Sequence, residues 1–273
     1  MRKRVAFLVV VMLLALAVSA CGCAATRAND AEDANNLMPI VVGADMYPPY
    51  VSNDENGNPV GIDVDVAREA FHRIGYEPTF QYIVWEKKGS LLADDSIDCV
   101  MSCFSMTGRE DQYRWAGPYM KSRQVIAVDP ASSIYRLSDL EGKVLALQSS
   151  TKPEEIILNG TNPNMPQLSH IYSFSDRSYL VPALSKGYVD AIAAHETSVL
   201  QYEKDYGVEL RILDKSLQDV GLGVAFDKND ERGIDSALQG ALDDMRADGT
   251  MERILSNYFD DTSSFLNVES LYE

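Results

Sequence analysis

The chain has 273 residues, 46% of them hydrophobic and 24% charged, with a formal net charge of −17. Such a composition is ordinary globular material, long enough for two modest domains, and not that of a disordered chain. The acidic balance excludes nucleic acid and anionic lipid as partners of the surface at large. A small anionic ligand stays open, because one Arg inside a low-dielectric cleft outweighs a distant field.

Residues 1–20 carry an export signal: Arg2, Lys3 and Arg4, then an apolar run from Val5 to Val18. The run is short for a membrane span, which needs about 20 residues. Val18-Ser19-Ala20-Cys21 resembles the bacterial lipobox, in which the Cys is lipidated and becomes the new N-terminus. An ordinary signal with a chance Cys would instead leave a free thiol at the end of an exported protein, which is uncommon. Residues 21–38 are small, polar and charged, as in a flexible tether. Cleavage makes the chain three charges more negative.

Ile40 to Ala44 is predicted as the first strand, followed by Asp45-Met46-Tyr47-Pro48-Pro49-Tyr50. Two prolines stiffen that loop and hold Tyr47 and Tyr50 out as rigid plates. After a turn at Asn56-Gly57 comes a helix with Asp63 as N-cap, a stripe of Ile62, Val66, Ala70 and Ile74, and Gly75 as its stop. Thr79 to Val84 is the next strand. Trp85 stands at its carboxyl end, either as a lid over the core or as a cleft residue.

The stretch from Asp98 to Tyr119 carries the chemistry. Cys99, Val100, Met101 and Cys103 predict a buried strand that breaks into Ser102, Ser105 and Thr107, with Gly108 as a hinge before Arg109. A permanently charged fork at the carboxyl end of a parallel strand sits where open α/β sheets bind ligands. Hydroxyls and free N–H groups around it suit a small carboxylate. The alternative is an ion pair of Arg109 with Glu110 or Asp111 on a surface helix. Cys99 and Cys103, roughly 13 Å apart along a strand at about 3.3 Å per residue, are too far apart for a disulfide. They read as buried thiols, Cys103 toward the ligand.

Gln124 to Val128 is predicted as a strand leaving this domain, Leu137 to Gly142 as a short helix and turn, and Val144 to Gln148 as a strand. Ser149-Ser150-Thr151 before a helix start at Lys152-Pro153 forms an anion cradle or a plain helix cap. Asp176 to Gly187 is helical, with Pro182 imposing a kink or a late start. Asp190 to Ala194 is a strand ending in His195-Glu196, Glu196 to Tyr206 a helix, and Val208 to Leu213 and Gln218 to Phe226 are extended. Helices Asp230 to Asp248 and Thr250 to Phe259 precede a patternless tail, 260–273. His72 and His170 are expected in solvent, the latter in a loop. Neither a metal site nor a cofactor motif emerges. The alternation predicts an α/β fold with a largely parallel sheet. Candidate residues cluster in two blocks, 45–109 and 149–196, as two lobes facing across a cleft would place them.

VVGADMYPPY, GNPVGIDVDVAREAFHRIGYEPTF, SIDCVMSCFSMTGRE, WAGPY, LSDLEGKVLALQSST, ALSKGYVDAIAAHE and ALDDMRADGTMERILSNYF together resemble the bacterial extracellular solute-binding protein family 3, the amino-acid receptors of ABC importers. The resemblance implies a periplasmic-binding-protein-like type II fold: two α/β lobes joined by two hinge strands, near Ser122 to Val128 and Leu213 to Leu222, with a ligand cleft between them. Residues 39–124 and 221–259 would form lobe 1 and 125–220 lobe 2. It makes Arg109 the clamp for the ligand α-carboxylate, with Thr151 closing on that group from lobe 2. Ser102, Cys103 and Ser105 would line the pocket, Tyr47 and Trp85 would sandwich the side chain, and Asp45 and Tyr50 would lie beside them. Two positions depart from the pattern. Thr107-Gly108-Arg109 is one residue short, which Gly108 absorbs through an unusual φ. The Asp that holds the α-ammonium falls at His195, followed by Glu196. A neutral His195 facing that ammonium predicts an affinity that falls between about pH 7 and pH 5.

The function this implies is non-catalytic: a monomeric, lipid-anchored component of an ABC importer on the outer face of the cell membrane. It would bind a small amino acid or related carboxylate and deliver it to a membrane permease. A dehydratase-like enzyme on the same scaffold would use His195 and Glu196, but adjacent strand residues face opposite ways. A sensory module reporting to a membrane partner is the other alternative.

Overall fold

The computed structural model describes residues 37–272, so the export signal, Cys21 and most of the tether lie outside the described residues. β1 (Met38–Ala44) buries Ile40, Val42 and Ala44 and is flanked by two parallel neighbours, β4 (Tyr76–Tyr82) and β5 (Cys99–Val100). Between them lie a two-residue hairpin of β2 (Ser52–Asn53) and β3 (Pro59–Val60) and the helix α1 (Ile62–Arg73). The α1 stripe of Ile62, Val66 and Ala70 is buried against this sheet, each aliphatic side chain larger than Ala contributing about 1.5–3 kcal/mol. Asp63 is not the cap: Gly61 holds that position, and Asp63 is fully buried in the first turn. Trp85 opens a 3₁₀ turn that runs into α2 (Lys88–Ala93).

β6 (Arg114–Val128) is 15 residues long, three times the predicted Gln124 to Val128. It runs antiparallel to β11 (Gln218–Phe226) from Arg114↔Phe226 to Gln124↔Gln218, with a register shift between Leu222 and Val224. β6 carries the chain out of the first lobe and β11 brings it back. Beyond Gln124, β6 pairs antiparallel with β9 (Ala191–His195), which is parallel to β7 (Val144–Gln148), itself parallel to β8 (His170–Phe174). The strand order is β4-β1-β5-β11-β6-β9-β7-β8, with β10 (Arg211–Ile212) also on β6. Each lobe is therefore parallel in its outer strands, and the hinge pair makes the antiparallel contacts in the centre.

The second lobe adds α3 (Lys152–Leu158), α4 (Leu180–Ser185) and α5 (Glu196–Tyr206). Pro182 sits in the first turn of α4, so the helix starts late, after a 3₁₀ turn at Arg177–Tyr179. His170 opens an edge strand instead of lying in a loop. α6 (Ile234–Ala247) and α7 (Thr250–Leu255) return to the first lobe against α1. The tail is not patternless. α8 (Ser263–Leu266) packs on β6, Phe265 stacks on Phe259 at 4.2 Å, and Lys121 Nζ donates to Ser270 Oγ at 3.0 Å.

Candidate functional site

The first lobe builds its half of the site at the carboxyl ends of β1 and β5. The leading N–H groups of α1 at Ile62 and Asp63 donate to the carbonyls of Pro49 and Tyr50, each at 3.0 Å. The helix thereby ties down the loop that carries Tyr47. Gly61 is required there, since a Cβ would stand 2.3 Å from the Tyr50 carbonyl oxygen, at a φ of 130°. After β5 the chain turns at Cys103, whose left-handed φ of 51° costs about 1–2 kcal/mol. Its N–H donates to Asp63 Oδ2 at 2.6 Å, while Tyr119 donates its hydroxyl to Asp63 Oδ1 at 2.7 Å. The buried Asp63 thus shapes the Ser102–Ser105 loop. Burial pushes its carboxyl up to about 6, against the pull of those two bonds.

Gly108 has a φ of 73°, in the left-handed region that favours glycine. Arg109 is 7% exposed and pairs with neither sequence neighbour that could have claimed it. Glu110 instead accepts the Gly108 N–H at 2.9 Å. Arg109 donates through Nε to Glu155 Oε2 on α3 at 2.8 Å and through Nη1 to the Ser105 carbonyl at 3.3 Å. Lys152 Nζ holds the other oxygen of Glu155 at 2.6 Å. Burial raises the Glu155 carboxyl, but Lys152 and Arg109 outweigh it and keep the group below its ordinary range.

In the second lobe, β7 ends at Gln148 and β9 at His195. Gln148 Nε2 and Arg177 Nη2 both donate to Asp45 Oδ2, at 2.8 and 2.7 Å. The Arg177 guanidinium lies 3.1 Å from the centroid of the Tyr47 ring. Trp85 Nε1 donates to the Ser150 carbonyl at 3.2 Å. The cradle predicted at 149–151 is partly taken up by protein acceptors, at the Ser149 and Ser150 N–H groups and the Thr151 hydroxyl. Ser149 N–H donates to Phe174 O, Ser150 N–H to Glu154 Oε2, and the Thr151 hydroxyl to Gln148 O.

The two lobes meet around a cavity lined from both sides. Tyr47, Trp85, Ser102, Cys103, Ser105, Arg109, Thr151 and His195, all singled out in the sequence, line it together. Three others do not. Asp45 lies behind the wall, held by Arg177 and Gln148. Tyr50 is fully buried, its hydroxyl 2.6 Å from Thr197 Oγ1. Glu196 turns to the opposite side and pairs with Arg123 at 2.7 Å, as strand alternation predicts. Gln124, Gln148, Lys152, Arg177 and Tyr202, not predicted from the sequence, also line the cavity.

His195 does not present a free ring nitrogen to the cavity. Its Nδ1 lies 2.8 Å from Ser122 Oγ and its Nε2 2.8 Å from Gln124 Nε2. An amide nitrogen only donates, so Nε2 accepts and the proton sits on Nδ1, donated to Ser122. Burial, then the charges of Arg177 and Arg109, push its pKa down to about 3. The imidazole is therefore neutral throughout the physiological range, which argues against the expected fall in affinity between pH 7 and pH 5.

The charge pattern is one-sided. Arg109, Lys152 and Arg177 line the cavity, and no Asp or Glu among the described residues does. Glu86, Glu154 and Glu155 line a separate, more open hollow, with Lys88 and Arg109. Burial, then the charge of Arg109, push Lys88 down to about 8.

Residues 40–261 match the bacterial extracellular solute-binding proteins, family 3. The chain is 30% identical over 233 residues to the histidine-binding periplasmic protein of Escherichia coli K12, covering 81% of this chain and 87% of that one. It is 28% identical over 211 residues to the glutamate-binding protein GluB of Corynebacterium glutamicum, covering 72% and 70%. Among solved structures, Tv2483 bound to L-arginine superposes with a TM-score of 0.76 at 25% identity, covering 84% of this chain and 94% of that one. On the family match over most of its length and on its two-lobed fold, the chain belongs to the bacterial extracellular solute-binding proteins, family 3.

Proposed function

We propose that the chain is the substrate-binding component of an amino-acid ABC importer, anchored outside the membrane by a lipid on Cys21. Its two lobes, divided near Gln124 and Gly221, would close on a ligand carboxylate held by Arg109. One observation carries the reading. A buried guanidinium of the first lobe lines a cavity whose other wall, with Thr151 and His195, comes from the second. Charged hydrogen bonds of this kind are each worth about 1.5–3 kcal/mol. The relatives named for histidine, glutamate and arginine support an amino acid as the ligand.

Catalysis is disfavoured by the same geometry. The two residues an enzyme would have used are separated: both His195 nitrogens are engaged by Ser122 and Gln124, and Glu196 is paired with Arg123 outside the cavity. Thermal-shift screening against the amino acids tests the reading. A ligand at 100 times its Kd should stabilise the protein by about 2.7 kcal/mol, and a panel without any shift would contradict it.

A further inference from the structure

The cavity holds more unmet hydrogen-bonding capacity than one carboxylate can satisfy. Arg177 is 8% exposed and lines the cavity, and its Nε has no acceptor. Its Nη2 is spent on Asp45, and Tyr202 lies alongside without a hydrogen bond of its own. Gln124 Oε1 and Gln148 Oε1, also in the cavity wall, are buried acceptors without a donor. Buried polar groups rarely go unpaired, so these atoms describe the complement of a ligand.

We infer that the ligand is an acidic amino acid, with its α-carboxylate at Arg109, its side-chain carboxylate at Arg177 and its ammonium on the carbonyl oxygens of Gln124 and Gln148. The inference rests on the amino-acid reading and narrows it to one substrate class. The balance of charge decides between classes. Asp45 offsets Arg177 and Glu155 offsets one of Arg109 and Lys152, leaving a cationic surplus that no carboxylate of the cavity wall meets. A ligand of net charge −1 fits that surplus. A side-chain amide would satisfy Arg177 Nε but leave the charge unmet. A basic side chain would add a cation where no acid lines the wall. Neutral amide oxygens in place of an Asp also suit an ammonium whose charge the ligand's own two carboxylates already outweigh.

Calorimetric titration of the detergent-purified full chain with L-glutamate, L-aspartate, L-glutamine, L-asparagine and L-arginine tests this. At least one acid should bind tenfold or more tighter than its own amide, and tighter than arginine. Arg177→Gln should weaken that acid at least tenfold more than its amide, and Arg177→Lys, which keeps the charge, should preserve the preference. An amide or arginine binding as tightly as the acids overturns the inference and leaves the amino-acid reading standing. A preference that survives in Arg177→Gln overturns the assignment to Arg177. Should that variant not fold, the wild-type ratio decides alone. No binding of any amino acid overturns both readings.

Discussion

Arg109 Nε and Glu155 Oε2 lie 2.8 Å apart across the cleft, so the first lobe's buried cation is held by the first turn of a second-lobe helix. Arg109 is nearly buried and Glu155 about one-quarter exposed, so the pair is better shielded than a surface bridge. It is one of several contacts that hold the lobes together, with Trp85 to Ser150 and Asp45 to Arg177.

Glu155→Gln removes the anion shared by Arg109 and Lys152 and leaves two like charges facing each other in the closed form. The ligand-free variant is expected to open. Small-angle scattering should show a larger radius of gyration than for the parent, and saturating ligand should reverse it. An unchanged radius would mean that Glu155 does not govern closure.

His195 predicts two pH profiles. Its pKa in the folded chain is about 3, below the ordinary value of about 6.5. The unfolded chain therefore binds a proton that the folded one refuses, and this group's contribution to stability is lost as pH falls from 6.5 toward 3. Ligand affinity, by contrast, should be flat between pH 5 and pH 7, because the ring stays neutral there. Calorimetry at both pH values checks it, and a fall of tenfold or more at pH 5 would put a charged imidazole back in the site.

Asp63 has the opposite sign. Its folded pKa, about 6, exceeds the ordinary value, so the folded chain holds the proton more tightly. Stability from this group is greatest below about pH 4 and declines as pH rises to 6, by up to about 3 kcal/mol. Denaturant unfolding of the parent and Asp63→Asn should show the parent's stability, relative to the variant, falling by that order from pH 4 to pH 6.5. A constant gap would mean that the carboxylate is ionised at little cost.

Much of this fold is written in local patterns. Val144–Gln148, Glu196–Tyr206 and Gln218–Phe226 have the bounds that their apolar periodicity and flanking residues predict. His170–Phe174 escaped because it is a five-residue edge strand, His-Ile-Tyr-Ser-Phe, with no fully buried position, which leaves no clear apolar period to read. At His195 the sequence offers only a histidine at a strand end where the resemblance implies an Asp. The consequence depended on Ser122 and Gln124, about seventy positions away in the chain, which a strand-end reading does not reach. Arg177 and Lys152 were missed for a similar reason. Each looks like a charged residue near a helix start, and only the packing of the lobes buries it. A basic residue within one or two positions of a predicted strand-to-helix turn was the available signal.

The anchor has its own test. Cys21→Ser should move the exported protein from the membrane fraction to the medium, measured by fractionation and blotting. Retention in the membrane after correct export would remove the lipid from the account.

The proposed function turns on a ligand carboxylate meeting Arg109 inside the closed cleft. Calorimetric titration of the parent and Arg109→Ala with an amino acid found to bind tests it directly. The variant is expected to lose at least about 2 kcal/mol of binding, from the charged hydrogen bonds and the ligand charge left unpaired, with cooperative unfolding retained. Equal affinity in the two proteins would contradict it and transfer the carboxylate to another cation of the cavity.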